Sequence, residues 1–428
     1  MNIKDKDFFL NLIKSEVVPA LGCTEPIAVA LASSKASSLI KNDIKKINIF
    51  VSANILKNGM GVGIPGTGMV GLHIAAALGA IGGNSDAELE VLKDINTKQI
   101  DESKQFVKEN KVSVAVKDVP NKLYIEAEIF DGENTSRVII KDKHANIVFV
   151  QLNDSILLDL SQEELICSDT NENPGVFATV EEIYNFATTA DFNDIKFILE
   201  GAKMNKEISF EGLNNNYGLK VGKTLMNNIE KGLLSKDLQN YAMAYTAAAS
   251  DARMAGSMLP VMSNSGSGNQ GITVMMPVIA VAEHLNTDEE KLARALILAN
   301  LVAIHIKAYL GRLSALCGCV VASSGASCGI AYLLGGSLKN VNYAIKNMAG
   351  NIVGMICDGA KTGCALKVST GVSAAVQSAL LAIEEIEIGC TDGIIDNDIE
   401  KTIQNLAIIG TKGMNETDKL ILDIMTCK

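Results

Sequence analysis

Partway along this 428-residue chain the spacing of apolar side chains changes period, and that change limits what it can fold into. Between Val112 and Val150 the runs KLYIEAEIF, SRVIIKD and NIVFVQL alternate apolar with polar residues, the two-residue period of a strand with one buried face. Turns at Asp131-Gly132 and Lys143-His144 would join them into an antiparallel meander. Beyond about residue 170 strand character fades, and Ala, Leu, Met and Gly fill segments of helical length. The expected fold class is α+β, with a mixed α/β part over residues 1–170 and a mainly helical part over 171–428. The boundary falls between 168 and 238. A linker is expected from Ser168 to Pro174, and the helical stretch from Thr179 to Leu238 can join either part.

The first part opens with a helical pattern from Asp7 to Lys41, broken between Pro19 and Pro26. The turn at Gly22-Cys23-Thr24 puts a cysteine at a helix start. A strand is predicted from Ile47 to Leu56, then a glycine-rich loop from Gly59 to Gly68 and a small-residue helix from Met69 to Ile81. A polar helical stretch runs on to about Lys111. The uncharged run from Ser314 to Ser337 is diluted by Ser, Gly, Cys and Ala, so it reads as a closely packed helix rather than a membrane span.

A chain that is 48% hydrophobic and 20% charged can bury a large core. Its net charge of -11, with no basic cluster interleaved with aromatics, argues against a nucleic-acid partner. The segment from Met1 to Glu16 lacks the apolar stretch of a secretory signal, so the cytoplasm is the expected location and a homodimer the default assembly.

Nine cysteines in such a chain point to metal binding or reactivity rather than disulfides. Seven stand outside the middle and the extreme C-terminus: Cys23, Cys317, Cys319, Cys328, Cys357, Cys364 and Cys390. Cys357 and Cys364 bound a CDGAKTGC segment whose glycines favour a loop that turns both sulfurs toward one centre. Buried cysteines also serve as small hydrophobes. Zinc competes less well, because no CxxC pair occurs and His73, His144, His284 and His305 are scattered.

Two overlapping glycine patterns, Gly61-x-Gly63-x-x-Gly66 and Gly66-x-Gly68-x-x-Gly71, follow the predicted strand, and a third is Gly266-x-Gly268-x-x-Gly271. A dinucleotide fold needs an early second parallel strand ending in an acid, whereas Glu88 and Glu90 fall in the polar helical stretch. Both loops can still bind an anion such as an amino-acid carboxylate, with Gly66, Thr67, Gly68 and Ser265 as contacts. Lys57, Asn58, Asn269 and Gln270 flank them and could orient its charged groups.

The segment PALGCTEPIAVALA, Pro19 to Ala32, resembles the L-cysteine desulfidase family, itself related to the α part of iron-sulfur L-serine dehydratases. The likeness continues through VSANILKNGMGVGIPGTGMVGL (Val51 to Leu72), AALGAIGGN (Ala76 to Asn84), LEVLKD (Leu89 to Asp94), HANIV (His144 to Val148), GSGNQGI (Gly266 to Ile272) and CDGAKTGCALKVSTG (Cys357 to Gly371). The resemblance implies a [4Fe-4S] cluster held by Cys357, Cys364 and Cys317, with Cys319 the rival for the third place, and Cys23 as catalytic base. It implies a carbon-sulfur lyase that converts L-cysteine to sulfide, pyruvate and ammonia. L-serine dehydration is the alternative within the class, and a non-catalytic nucleotide- or amino-acid-binding protein is the alternative outside it.

Overall fold

The computed structural model describes residues 3–160, 178–311 and 314–427. Six strands form one sheet in the order Val112–Val116, Lys46–Val51, Tyr124–Phe130, Thr135–Lys141, Ile147–Leu152 and Ser155–Asp159. The third, fourth and fifth make the expected meander with turns at the expected places, and Ser155–Asp159 extends it by a strand that the alternation did not predict. The sheet is nevertheless mixed, because Val112–Val116 runs parallel to Lys46–Val51 at the edge. Its inner face packs on the Thr24–Ser37 and Leu72–Gly82 helices through Ile47, Ile49, Val51, Ile125, Ala127, Ile129 and Val138.

The strand predicted from Ile47 to Leu56 is shorter, since the chain turns into a helix over Ala53–Gly59. Ser52 ends the strand because its extended backbone suits a helix start, where its carbonyl accepts from the Leu56 N–H at 3.1 Å. The Leu72–Gly82 helix follows Gly71, whose φ of +98° disfavours a side chain. The polar stretch resolves into a short 3₁₀ turn, Ser85–Glu90, and the Thr97–Lys108 helix, closed at its start by a capping box between Asn96 and Gln99.

The second part is helical, as its composition suggests. The Leu238–Met254, Gly268–His284, Glu289–Leu310, Gly318–Leu333, Leu338–Ile352 and Cys364–Ile383 helices share one core. Small residues set their close approach: a Cβ on Gly325 would lie 2.3 Å from the Ala299 carbonyl oxygen, and one on Gly212 would lie 2.0 Å from that of Ala248. Two helices, Glu289–Leu310 and Cys364–Ile383, have the length and apolarity to cross a membrane, and 78% and 56% of their apolar windows are buried inside the fold.

The two parts exchange their terminal helices. Phe9, Leu12 and Ile13 of the Ile3–Glu16 helix join the helical core, where Phe9 stacks on Phe186 with ring centres 5.0 Å apart. The final helix, Asn415–Thr426, reaches back to the Ala53–Gly59 helix through the ion pair between Asp418 and Lys57. The linker expected from Ser168 to Pro174 lies outside the described residues.

Candidate active site

Cysteines 300 residues apart in sequence meet because helix starts converge. Cys23 is the N-cap of the Thr24–Ser37 helix, Cys317 that of the Gly318–Leu333 helix, and Cys364 is the first residue of the Cys364–Ile383 helix. Cys357 is tied to Cys317 by backbone pairing: the Cys357 N–H donates to the Ala315 carbonyl at 2.7 Å and the Cys317 N–H to that of Met355 at 2.9 Å. The loop then returns to Cys364, whose N–H donates to the Lys361 carbonyl at 2.9 Å. These four cysteines, and Cys319 with them, line one cavity of about 150 Å³, which suits a small metabolite.

Asn58, Ser265, Gly266, Ser267, Asn269 and Gln270 border the same cavity, and so do Arg253, Thr273, Lys307, Lys367 and His144. Three buried polar atoms there have no hydrogen-bond partner: Arg253 Nε, Gln270 Oε1 and Thr273 Oγ1. A buried polar atom left alone is costly, so a donor, an acceptor and a hydroxyl around one small space describe a site for a polar ligand. The guanidinium is fixed by donation from Nη2 to the Gly22 carbonyl at 2.8 Å, beside Cys23.

The thiols respond to this setting. Burial pushes Cys23 up to about 12, against the opposing pull of Arg253. Burial and the neighbouring Cys357 push Cys317 up to about 12 as well, and burial and Cys357 also raise Cys364. Groups that resist ionising alone are deprotonated when a metal takes the sulfur, and Lys367 and the helix starts supply positive potential for the resulting charge. Lys367 is held by Asp358, whose carboxyl stays at about 2: burial alone would raise it, and hydrogen bonds from Lys361 and Lys367 outweigh that.

Cys317 and Cys319 are no longer equivalent. The Cys319 thiol donates to the Lys367 carbonyl at 3.1 Å and fills the space over Gly371, where a Cβ would lie 2.4 Å from the sulfur. Cys317 sits at the helix start, less buried and paired in backbone with the segment that leads into Cys357. Cys328 is packed, its thiol donating to the Ser324 carbonyl at 3.3 Å, and Cys390 is exposed. Among the described residues no three Cys, His, Asp or Glu side chains close together as the ligands of one metal ion do. A four-iron cluster takes each thiolate on a different iron, and the cysteines around the cavity, Cys317, Cys319, Cys357 and Cys364, are donors of the kind such a cluster takes.

Lys57, Gly66, Thr67 and Gly68 do not line the cavity. Lys57 is buried against Asp418. The first glycine loop instead grips the turn after Arg253: the Gly63 N–H donates to the Met254 carbonyl at 2.9 Å and that of Gly66 to Gly256 at 3.3 Å. The Thr67 hydroxyl donates within the loop, to the Ile64 carbonyl at 2.8 Å. Arg253 and Lys307 escaped the sequence reading because each sits in a helix with no motif around it, while Lys367 within CDGAKTGCALKVSTG and Thr273 just after GSGNQGI were not singled out from their segments. His144, set aside there with the other histidines, stands at the cavity edge, whereas His305 pairs with Glu400 at 2.6 Å.

A helical bundle that holds a cysteine-lined cavity beside a mixed sheet also agrees with comparison by sequence. Residues 86–423 match the family of the serine dehydratase alpha chain, and the chain belongs to that family, which points to a lyase. Its relatives include a UPF0597 protein of Parabacteroides distasonis, 50% identical over 423 residues that cover 99% of this chain and 98% of the relative. Another, from Bacteroides fragilis, is 48% identical over 429 residues and the full length of both chains. A third, from Oleidesulfovibrio alaskensis, is 50% identical over 420 residues, 98% of each chain.

Proposed function

We propose that the chain is an iron-sulfur lyase that eliminates sulfide from L-cysteine, with pyruvate and ammonia formed when the released enamine hydrolyses. The observation that carries this reading is the cavity itself, where Cys317, Cys357 and Cys364 share one small space with Cys23 and an arginine lacking a partner at Nε. Cys317, Cys357 and Cys364 would hold a [4Fe-4S] cluster. When bound, it would supply a Lewis-acidic iron with an open position for the substrate's sulfur.

The chain's own residues do the rest. Arg253 Nε and the Thr273 hydroxyl suit the substrate carboxylate, and Gln270 Oε1 accepts from its ammonium. So anchored, the amino acid offers its Cα proton to Cys23, where Arg253 and the positive end of the Thr24–Ser37 helix counter the burial that holds the thiol protonated. The C–H electron pair becomes the Cα–Cβ double bond as the Cβ–S bond breaks, and the sulfur leaves with that bond's pair. The enamine then tautomerises, and water releases ammonia.

The experiment is a comparison of kcat/KM for L-cysteine and L-serine in iron-loaded protein kept free of oxygen. The proposal expects sulfide release from L-cysteine to exceed pyruvate formation from L-serine by at least about a hundredfold, the scale on which one well-read group discriminates substrates. Preference for L-serine would reassign the substrate, and inactivity toward both would defeat the lyase reading.

A further inference from the structure

Lys57 reads from sequence as a ligand for substrate, and the structure gives it another task. Its side chain is 3% exposed, and its amine is taken by Asp418 of the final helix, 361 residues away. That helix has little else to hold it: Ile421 is its one buried residue among those described, while Leu420 and Ile424 are 60% and 54% exposed. The backbone of Lys57 lies against the CDGAKTGC loop. A Cβ on Gly359 would sit 2.2 Å from the Lys57 carbonyl oxygen and 3.4 Å from Cε of Met425, and Gly61 pairs with Lys361 one step further along. Gly359 itself has a φ of +89° and lines the cavity.

We infer that the Lys57–Asp418 pair is a positioning device: it clamps the final helix and the Ala53–Gly59 helix around the loop between Cys357 and Cys364, and so sets where those two thiols stand. The contacts do not depend on what the thiols bind; that they serve a cluster rests on the function proposed above. A buried ammonium needs its carboxylate, so loss of Asp418 frees the last helix and with it one wall of the loop. Cys317 pairs in backbone with the segment before Cys357 and Cys319 packs on the Cys364–Ile383 helix, whereas the Cys328 thiol packs against the Ser324 and Val341 carbonyls, which makes Cys328 the internal control.

The test is residue-resolved alkylation of the reduced, metal-free full-length protein by iodoacetamide, read by peptide mass spectrometry. In Asp418→Ala, Cys357 and Cys364 should react about tenfold faster than in the wild type through local opening, with Cys328 changed by less than about twofold. Asp418→Glu, which can restore the pair, should return both thiols to within about threefold of the wild-type rate. In protein loaded with iron, Asp418→Ala should release iron to a chelator at least about fivefold faster. Should Asp418→Ala fail to fold, Asp418→Asn takes its place with the same selectivity expected at a smaller size. Wild-type rates at Cys357 and Cys364, or an acceleration of Cys328 as large as theirs, overturns the inference. If the wild type takes up no iron, the cluster reading fails while alkylation still decides the clamp.

Discussion

Two loops of this chain share the spacing Gly-x-Gly-x-x-Gly and have different surroundings. In the loop from Gly61 to Gly71 the glycines serve backbone contact: a Cβ on Gly63 would lie 2.5 Å from the Ala255 carbonyl carbon. In the loop from Gly266 to Gly271 two glycines are also tight, since a Cβ on Gly268 would lie 2.3 Å from Arg253 Nε and one on Gly271 would lie 1.9 Å from the Met262 carbonyl oxygen, but the helix that starts there opens on the cavity. Glycine spacing reports where chains come close. A ligand is reported by something else, the buried polar atoms left without partners, and those sit by the second loop alone of the two.

The largest test of this contrast is Arg253→Met. The second loop packs on Arg253, whose Nε stands unpaired at the cavity, so its removal should lower kcat/KM for L-cysteine about a thousandfold, or roughly 4 kcal/mol in the barrier. The pH dependence carries a sign. Burial raises Cys23 and Arg253 opposes that, so without the guanidinium the thiol ionises only at higher pH. The rising limb of the kcat/KM profile should therefore move upward in pH, and an unmoved limb would separate Arg253 from the base. Arg253→Lys, which keeps the charge, should return part of the shift.

Gly63→Ala ranks next and acts on the fold. Overpacking against the Ala255–Gly256 backbone should cost about 2–3 kcal/mol in a denaturant titration, with kcat/KM of the folded protein within about threefold of the wild type. Gln270→Leu should do the reverse. Its Oε1 has no protein partner to lose, so stability should stay within about 0.5 kcal/mol while kcat/KM falls about tenfold. A collapse of activity in Gly63→Ala with no loss of stability would erase the distinction between the loops.

The sequence made the cysteines visible because their signals are local. Gly22-Cys23-Thr24 before Pro26 marks a helix start, and the glycines of CDGAKTGC mark a loop, and both stand where expected. It could not choose between Cys317 and Cys319, since that choice depends on Gly371 and the Lys367 carbonyl, some 50 residues further on. Lys57 was misread for the same reason: an exposed-looking lysine beside a glycine loop is buried by a helix from the far end of the chain. The meander was legible from its period, whereas the parallel edge strand, Val112–Val116, joins the sheet only through a crossover that no local pattern announces. Arg253 left no trace at all, for its meaning lies in an unpaired nitrogen.

Iron and acid-labile sulfide per chain, measured side by side in wild type and Cys357→Ser purified without oxygen, tests the account at its centre. The wild type should hold about four of each, as a cubane cluster requires, and the variant should hold less than about one. Equal iron in the two proteins, or none in the wild type, would contradict the assignment of Cys317, Cys357 and Cys364 to a cluster.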